Sequence, residues 1–201
     1  MRVLLLTDAD AFAGTERHML DLAVALREVG VSPTLSCPAG APLAQRGERF
    51  GLANFPIEKG GLIDWNAVKI LKAALKARKF DVLHAHNGRM HLSAALAILL
   101  ARRGALVFTQ HFIEPGHTRQ RGPKSALFAK VHHFVAGRTH RFIAISNAVK
   151  QAMLQRHEAE ASLIEVVPNG IGDPQQTRLT PAPETRAQYD IPHDATLLVC
   201  A

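Results

Sequence analysis

Short apolar runs of strand length recur along this chain, separated by segments whose apolar residues fall three and four apart. The runs are Val3–Thr7, Thr34–Cys37, Ala53–Ile57, Val82–His86, Leu106–Thr109, Phe142–Ile145 and Leu163–Val167. The helical faces between them include Met19, Leu22, Leu26 and Val29, then Val68, Leu71 and Leu75, then Leu92, Leu96, Leu99 and Leu100. Strands that are apolar with almost no alternation have both faces buried, as happens when helices cover a parallel sheet on both sides. The expected fold is α/β: a doubly wound, mostly parallel, Rossmann-like sheet with right-handed crossovers.

Composition narrows the class. With 201 residues, 47% of them hydrophobic, the chain can build one large core, or one domain and the start of another. Disorder is excluded by the abundance and regular period of the apolar residues. The stretch Leu92–Ala101 stops at Arg102 and Arg103, about half of the ~20 residues that a membrane span needs. Only four apolar residues, Val3 to Leu6, precede Thr7 and Asp8, so the amino terminus does not read as a secretory signal. Cys37 and Cys200 make no disulfide framework and lack metal-ligand spacing. These features point to a soluble, cytoplasmic protein.

The net charge of +7 is local in origin. No Asp or Glu lies between Glu114 and Glu158, whereas Arg119, Arg121, Lys124, Lys130, Arg138, Arg141, Lys150 and Arg156 all do. That one stretch carries more positive charge than the whole chain, and the remainder is close to neutral. After Val167 the character changes: five of the eleven prolines fall between Pro168 and Pro192, beginning beside Asn169-Gly170. Residues 1–170 are expected to form one domain, 171–194 a linker, and the apolar run 195–201 the first strand of a further, carboxyl-terminal domain. The chain reads as a fragment of a larger protein.

Ligands of open α/β sheets bind beyond the carboxyl ends of the strands. The residues that follow those ends are Asp8, Asp10 and Gly14–His18 after the first strand, His84–Arg89 around the end of the fourth, and Thr109-Gln110-His111 after the fifth. Ser146-Asn147 follows the sixth and Asn169-Gly170 the seventh. Gly14 before Thr15 suits a tight turn into a helix, with Thr15 as N-cap. The free N–H groups there either favour a phosphate or simply receive an ordinary cap. The glycine-rich dinucleotide fingerprint is absent, and Gly122-Pro-Lys124-Ser125 is no phosphate loop because Pro123 intervenes and no strand precedes it.

His84 and His86, two apart on a strand, share a face. They could open a metal site, but no third ligand is identifiable by spacing, so no metal is assigned. The expectation is that one ring is buried and hydrogen-bonded while the other reaches the site. His111 either contacts substrate, acts as acid or base near neutral pH, or makes a structural hydrogen bond. Asp8-x-Asp10 also resembles the opening motif of haloacid-dehalogenase-like phosphohydrolases, although Phe12 is out of pattern and no late acidic pair is present.

Taken in order, these strand-end residues resemble the amino-terminal domain of a GT-B fold glycosyltransferase of the large retaining family four. Ala13-Gly-Thr-Glu-Arg-His18 resembles the family's Gly-Gly-x-Glu-Arg-His loop, and Leu20-Asp-Leu-Ala23 the helix that follows. Phe80-Asp-Val-Leu-His-Ala-His86 resembles its Asp-Val-x-His-x-His strand, and Thr109-Gln-His111 its Thr-x-His. Phe142–Val149 is similar to its strand-Ser-helix segment, and Val166–Asp173 to the Pro-Asn-Gly-(Val/Ile)-Asp element leading to the second domain. Two departures stand out: Ala13 replaces the first glycine of the loop, and Gly172 separates Ile171 from Asp173.

The resemblance implies that a nucleotide-diphospho-sugar binds mainly to a second domain, while this one presents the acceptor and closes over the donor's phosphates. Transfer retains anomeric configuration and needs no bound metal or other cofactor. Gly14 would approach the diphosphate and His111 the sugar near its reacting carbon, with Thr15 and Asn169 also substrate-binding. Glu16, Arg17, His86, Asn87 and Ser146 would line the acceptor side. The chain alone should bind donor poorly and turn over little. The acceptor is expected to be a carbohydrate or glycolipid of cell-envelope glycan synthesis. A non-catalytic sugar-binding or scaffold domain is the alternative, and the phosphohydrolase using Asp8 and Asp10 a weaker one.

In residues 115–157, Leu127, Val131 and Phe134 share a helical side between basic residues. That pattern fits a peripheral contact with anionic membrane, on its cytoplasmic face, an anionic acceptor such as a phosphorylated glycolipid, or an ordinary domain helix with a solvated basic rim. Nucleic acid is not expected, because only 11 aromatic residues are present and no binding motif supports it.

Overall fold

The structure, a computed structural model, describes residues 1–61, 63–113, 131, 133–170 and 182–196. The chain divides into two compact units, Met1–Asn169 and Gly170–Ala201.

The first unit is built on six parallel strands: β1 (Arg2–Leu6), β2 (Ser32–Ser36), β3 (Val82–Ala85), β4 (Ala105–Gln110), β5 (Arg141–Ala144) and β6 (Ile164–Val166). They lie in the order β2-β1-β3-β4-β5-β6. The helices whose bounds are described include α1 (Gly14–Glu28), α2 (Pro42–Arg49), α3 (Trp65–Lys76), α4 (Gly88–Ala101) and α5 (Asn147–Gln155), with a 3-10 turn at Ala161–Leu163. The doubly wound α/β expectation holds.

Burial on β1 shows why its sequence does not alternate. Leu4 and Leu6 join a cluster with Leu71 and Leu75 of α3, Met90 and Ala94 of α4, and Leu83 and Leu106 of the neighbouring strands. Val3 and Leu5 point to the opposite face, with Met19, Leu20 and Ala23 of α1 and Leu43 and Ala44 of α2. Successive side chains of a strand face opposite ways, so both sides of β1 must be apolar. Burying a leucine fully, as at Leu5, is worth about 1.5–3 kcal/mol relative to leaving it exposed.

Helix starts follow from local chemistry. Asp64 accepts a hydrogen bond from the Ala67 N–H at 2.9 Å to cap α3, and Pro42 occupies the first turn of α2, where its missing N–H costs nothing. At the opposite edge, Arg2 pairs with Asp81 at 2.8 Å and clips the start of β1 to the segment entering β3. This partner holds the Asp81 carboxyl down to about 2.

Three sequence expectations change. Ala53–Ile57 is not a strand: it makes a single bridge, Asn54 with Leu35, because β2 ends at Ser36 and the chain turns through Pro38–Ala41. The Phe55 N–H still reaches the Leu35 carbonyl at 2.8 Å, but Pro56 has no N–H to continue the ladder. On α1 the buried face is Met19, Leu20 and Ala23; Val29 lies past the last turn and is exposed. On α4, Leu99 and Leu100 are exposed, and alanines 94, 95 and 97 are buried instead, allowing close helix packing.

Of the basic stretch, Val131 and Phe134 pack against the sheet's core and Val135 is buried, so this part of the apolar side is used inward. Leu127, Lys124 and Lys130 lie outside the described residues. In the second unit, residues read as linker include a short helix, α6 (Ala182–Gln188). The expected strand 195–201 lies mostly outside the described residues. Among those described, no helix is long and apolar enough to cross a membrane.

Candidate active site

Strand order reverses between β1 and β3: the chain leaves β1 toward β2 on one side and returns to β3 on the other. In sheets of this kind that reversal opens a crevice at the strands' carboxyl ends. Asn87 stands in it. Its side-chain carbonyl accepts from the Met90 N–H at 3.0 Å, capping α4, while its amide donates to Asp8 Oδ1 at 2.8 Å and Thr7 Oγ1 at 3.1 Å. One side chain thus starts a helix and ties the ends of β1 and β3 together.

Beside Asn87, four histidines gather. The register pairs Leu5 with His84, so His84, and His86 two residues on, lie on the Val3–Leu5 face of the sheet. His84 is buried, and its Nε2 shares a hydrogen bond of 2.7 Å with the Thr109 hydroxyl of β4. His86 is also buried, with Nδ1 at 3.1 Å from His111 Nε2. Both rings are therefore buried and hydrogen-bonded, where the spacing predicts one buried ring and one that reaches the site. His18 of α1 completes the group, its ring centroid 5.7 Å from His86 and 5.1 Å from His111.

The cluster is held neutral. Burial, with smaller contributions from His18 and His111, lowers His84 to about 3. Burial also lowers His86 well below the usual imidazole range, and lowers His111 to about 4 with a smaller contribution from His18. His18 is lowered by burial as well, opposed by Asp21. A neutral imidazole offers one N–H donor and one lone pair, which suits hydroxyl groups. A value lowered this far leaves His111 in its base form at neutral pH, with no imidazolium proton to give as an acid.

The α1 end differs from expectation. The N-cap is Ala13, not Thr15, because the carboxylate of buried Glu16 reaches back to accept from the Ala13 N–H at 3.0 Å. Glu16 thereby has a structural role at the start of α1. Gly14 is exposed, and a Cβ built on it meets nothing within 4 Å, so the helix start faces open space. Thr15 is half-buried in the first turn. Arg17 is exposed, pairs with Asp21 at 2.8 Å, and lines a groove of about 510 Å³ with Pro42, Gln45, Arg46, Arg49 and Phe50.

Ser146 caps α5, its hydroxyl accepting from the Val149 N–H at 3.2 Å. Asn169 is exposed after β6. The structure thus brings His86 and His111 together, sets Asn87 next to His86 in the chain, and gives Glu16 and Ser146 capping roles. His18, which spacing alone did not single out, joins the cluster; it lies one helical turn after Gly14, and that periodicity was the available signal.

The family model described as Glycosyltransferase Family 4 matches residues 12–173. The chain belongs to glycosyltransferase family 4. An Escherichia coli relative, a UDP-Gal:α-D-GlcNAc-diphosphoundecaprenol α-1,3-galactosyltransferase, is 26% identical over 108 residues, which are 54% of this chain and 28% of the relative. Among solved structures, Anabaena HepE in complex with UDP-glucose superposes with a TM-score of 0.71 at 20% identity. The match covers 94% of this chain and 50% of HepE. A Rickettsia africae glycosyltransferase also gives 0.71 at 20% identity, over 96% of this chain and 50% of its own. The chain therefore spans about half the length of these solved relatives, with the Rossmann-like fold of a GT-B amino-terminal domain.

Membership in glycosyltransferase family 4 overturns the phosphohydrolase reading, and the side chains agree. Asp8 is occupied by Asn87 and by Arg89 at 2.7 Å, while exposed Asp10 pairs with Lys59 at 2.9 Å. The two carboxylates are committed to different partners.

Proposed function

We propose that this domain is the acceptor-side half of an enzyme that transfers a sugar from a nucleotide-diphospho-sugar to a carbohydrate or glycolipid acceptor, with retention of anomeric configuration. The cell-envelope setting follows the Escherichia coli relative, whose acceptor is a diphosphoundecaprenol-linked sugar. The observation that carries the reading is the His86–His111 pair at the crevice, neutral and hydrogen-bonding at physiological pH.

His111 donates a hydrogen bond to a donor-sugar hydroxyl near the reacting carbon, and His86 fixes its ring. The open start of α1 at Gly14 leaves room for the diphosphate, where unpaired helix N–H groups favour negative charge. Arg17 and Asn87 face the acceptor side, and Thr15 and Asn169 border the substrate. No metal is assigned to the transfer. The donor's nucleotide is held chiefly by a second domain, so residues 1–201 alone turn over little. Cytoplasmic placement, with peripheral contact of the basic 115–157 stretch on anionic membrane, completes the proposal.

The test is transfer by the polypeptide expressed from its full reading frame, using radiolabelled UDP-galactose or UDP-glucose and an undecaprenyl-diphosphate-linked sugar. Label in the lipid product, joined through an α linkage from an α donor, supports the reading. A β linkage removes retention. Absence of transfer and of donor binding across a panel of nucleotide sugars leaves the scaffold alternative.

A further inference from the structure

His18, His86 and His111 come from α1, the end of β3 and the segment after β4, yet one ring nitrogen from each lies within 4.8 Å of the other two. Only one contact among them is a hydrogen bond, His86 Nδ1 to His111 Nε2 at 3.1 Å. The second nitrogen of His86, Nε2, is buried without a partner. Buried polar nitrogens normally find hydrogen bonds, so a converging set with an orphan among them is an unbalanced arrangement. Spacing along the sequence offered two histidines and no third; the fold supplies the third and a fourth.

We infer that His18, His86 and His111 form a binding site for a borderline divalent transition-metal ion of the zinc, cobalt or nickel class. Three imidazole nitrogens and one open position make up a tetrahedral shell of the kind such ions take. With metal–nitrogen bonds near 2.0–2.1 Å, tetrahedral ligand atoms stand about 3.3 Å apart, so three nitrogens that lie within 4.8 Å of one another close by about 1.5 Å at most. His18 and His111 are half-buried and can make that adjustment by side-chain rotation. His86 is the fixed point: the His84 ring packs against it at 4.3 Å between centroids, and His84 is itself tied to Thr109.

The donor set also decides which ions are refused. It contains no carboxylate, and magnesium and calcium require oxygen ligands. On the transferase reading given above, His111 also serves the donor sugar. A bound ion then competes with the sugar and acts as an inhibitor, not a cofactor.

The experiment is a titration of tag-free protein, stripped with chelator, with cobalt(II) followed by visible absorption and with zinc(II) followed by calorimetry. The expected result is one ion per chain with a Kd below ~10 µM, and an intense cobalt spectrum of tetrahedral type. His18→Gln and His111→Gln, each confirmed folded by circular dichroism, should each weaken binding at least ~10-fold, a loss of about 1.4 kcal/mol. His157→Gln, at an exposed position, should leave it unchanged. No saturable binding, binding that survives both cluster variants, or magnesium binding of equal strength overturns the inference. None of these readouts involves turnover, so the metal site can fail while the transferase reading stands, and the reverse.

Discussion

His86 and His111 repeat, one step further along the same two strands, the contact that His84 makes with Thr109. The first pair meets at 3.1 Å and the second at 2.7 Å, each with partners 25 residues apart in the chain. Because side chains two apart on a strand share a face, the inner pair sets the outer one in position. A hydrogen bond inside the sheet thus positions a second one at its edge.

The buried histidines make acid the weak direction for this fold. Their folded-state values are lowered, to about 3 at His84 and about 4 at His111, so the unfolded chain binds more protons below the ordinary imidazole value. Their contribution is complete above pH ~6.5 and is lost as pH falls toward the folded values. Urea denaturation between pH 7 and pH 4 should show stability dropping by up to about 1.4 kcal/mol per pH unit for each such group. His84→Gln should flatten the slope, and an unchanged slope would show that its ring is not buried neutral.

Asn87→Ala should destabilise more than Ser146→Ala. Both remove a helix cap, worth about 1 kcal/mol. Asn87 additionally leaves Asp8 and Thr7 short of a donor, and a buried group losing its partner costs about 1–3 kcal/mol. Chemical denaturation of the two variants side by side gives the comparison, and equal losses would mean the β1–β3 tie contributes nothing.

Two glycines separate fold from function. At Gly14 an added methyl meets open space, so Gly14→Ala should keep thermal stability while raising the KM for donor in the full-length enzyme. At Gly47 the same methyl would sit 2.6 Å from Leu35 Cδ1, so Gly47→Ala should cost about 1–3 kcal/mol through overpacking. A melting-temperature series reads both, and a stable Gly14→Ala enzyme with unaltered donor KM would remove that loop from the phosphate site.

How much of this was legible beforehand depends on the kind of signal. The unalternated run Val3–Leu6 announced a strand buried on both faces, and the order of strand-end motifs announced the family. The Ala53–Ile57 run misled because apolar content does not make a ladder: it meets β2 only around Leu35, and Pro56 has no N–H to extend the pairing. Thr15 looked like the cap because hydroxyls usually cap; only the fold shows Glu16 buried and reaching back to Ala13. His18 was missed because its partners lie about 70 and 90 residues away, and their convergence is a property of the sheet order.

With Val131 and Phe134 packed against the core, membrane contact by the described part of the basic stretch would rest on charge. Protein should then sediment with phosphatidylglycerol vesicles at low salt and be released by about 0.5 M salt, where screening is short-ranged. Binding that resists high salt would indicate apolar insertion instead, and no sedimentation at low salt would end the membrane proposal.

The most direct test is sugar transfer by the full-length enzyme carrying His111→Ala, with saturating acceptor and with folding checked by melting temperature. If the His86–His111 pair holds the reacting sugar, kcat should fall by at least ~100-fold while the melting temperature stays near that of the wild type. A properly folded variant that transfers sugar within twofold of the wild-type rate would contradict the assignment of this strand edge as the active site.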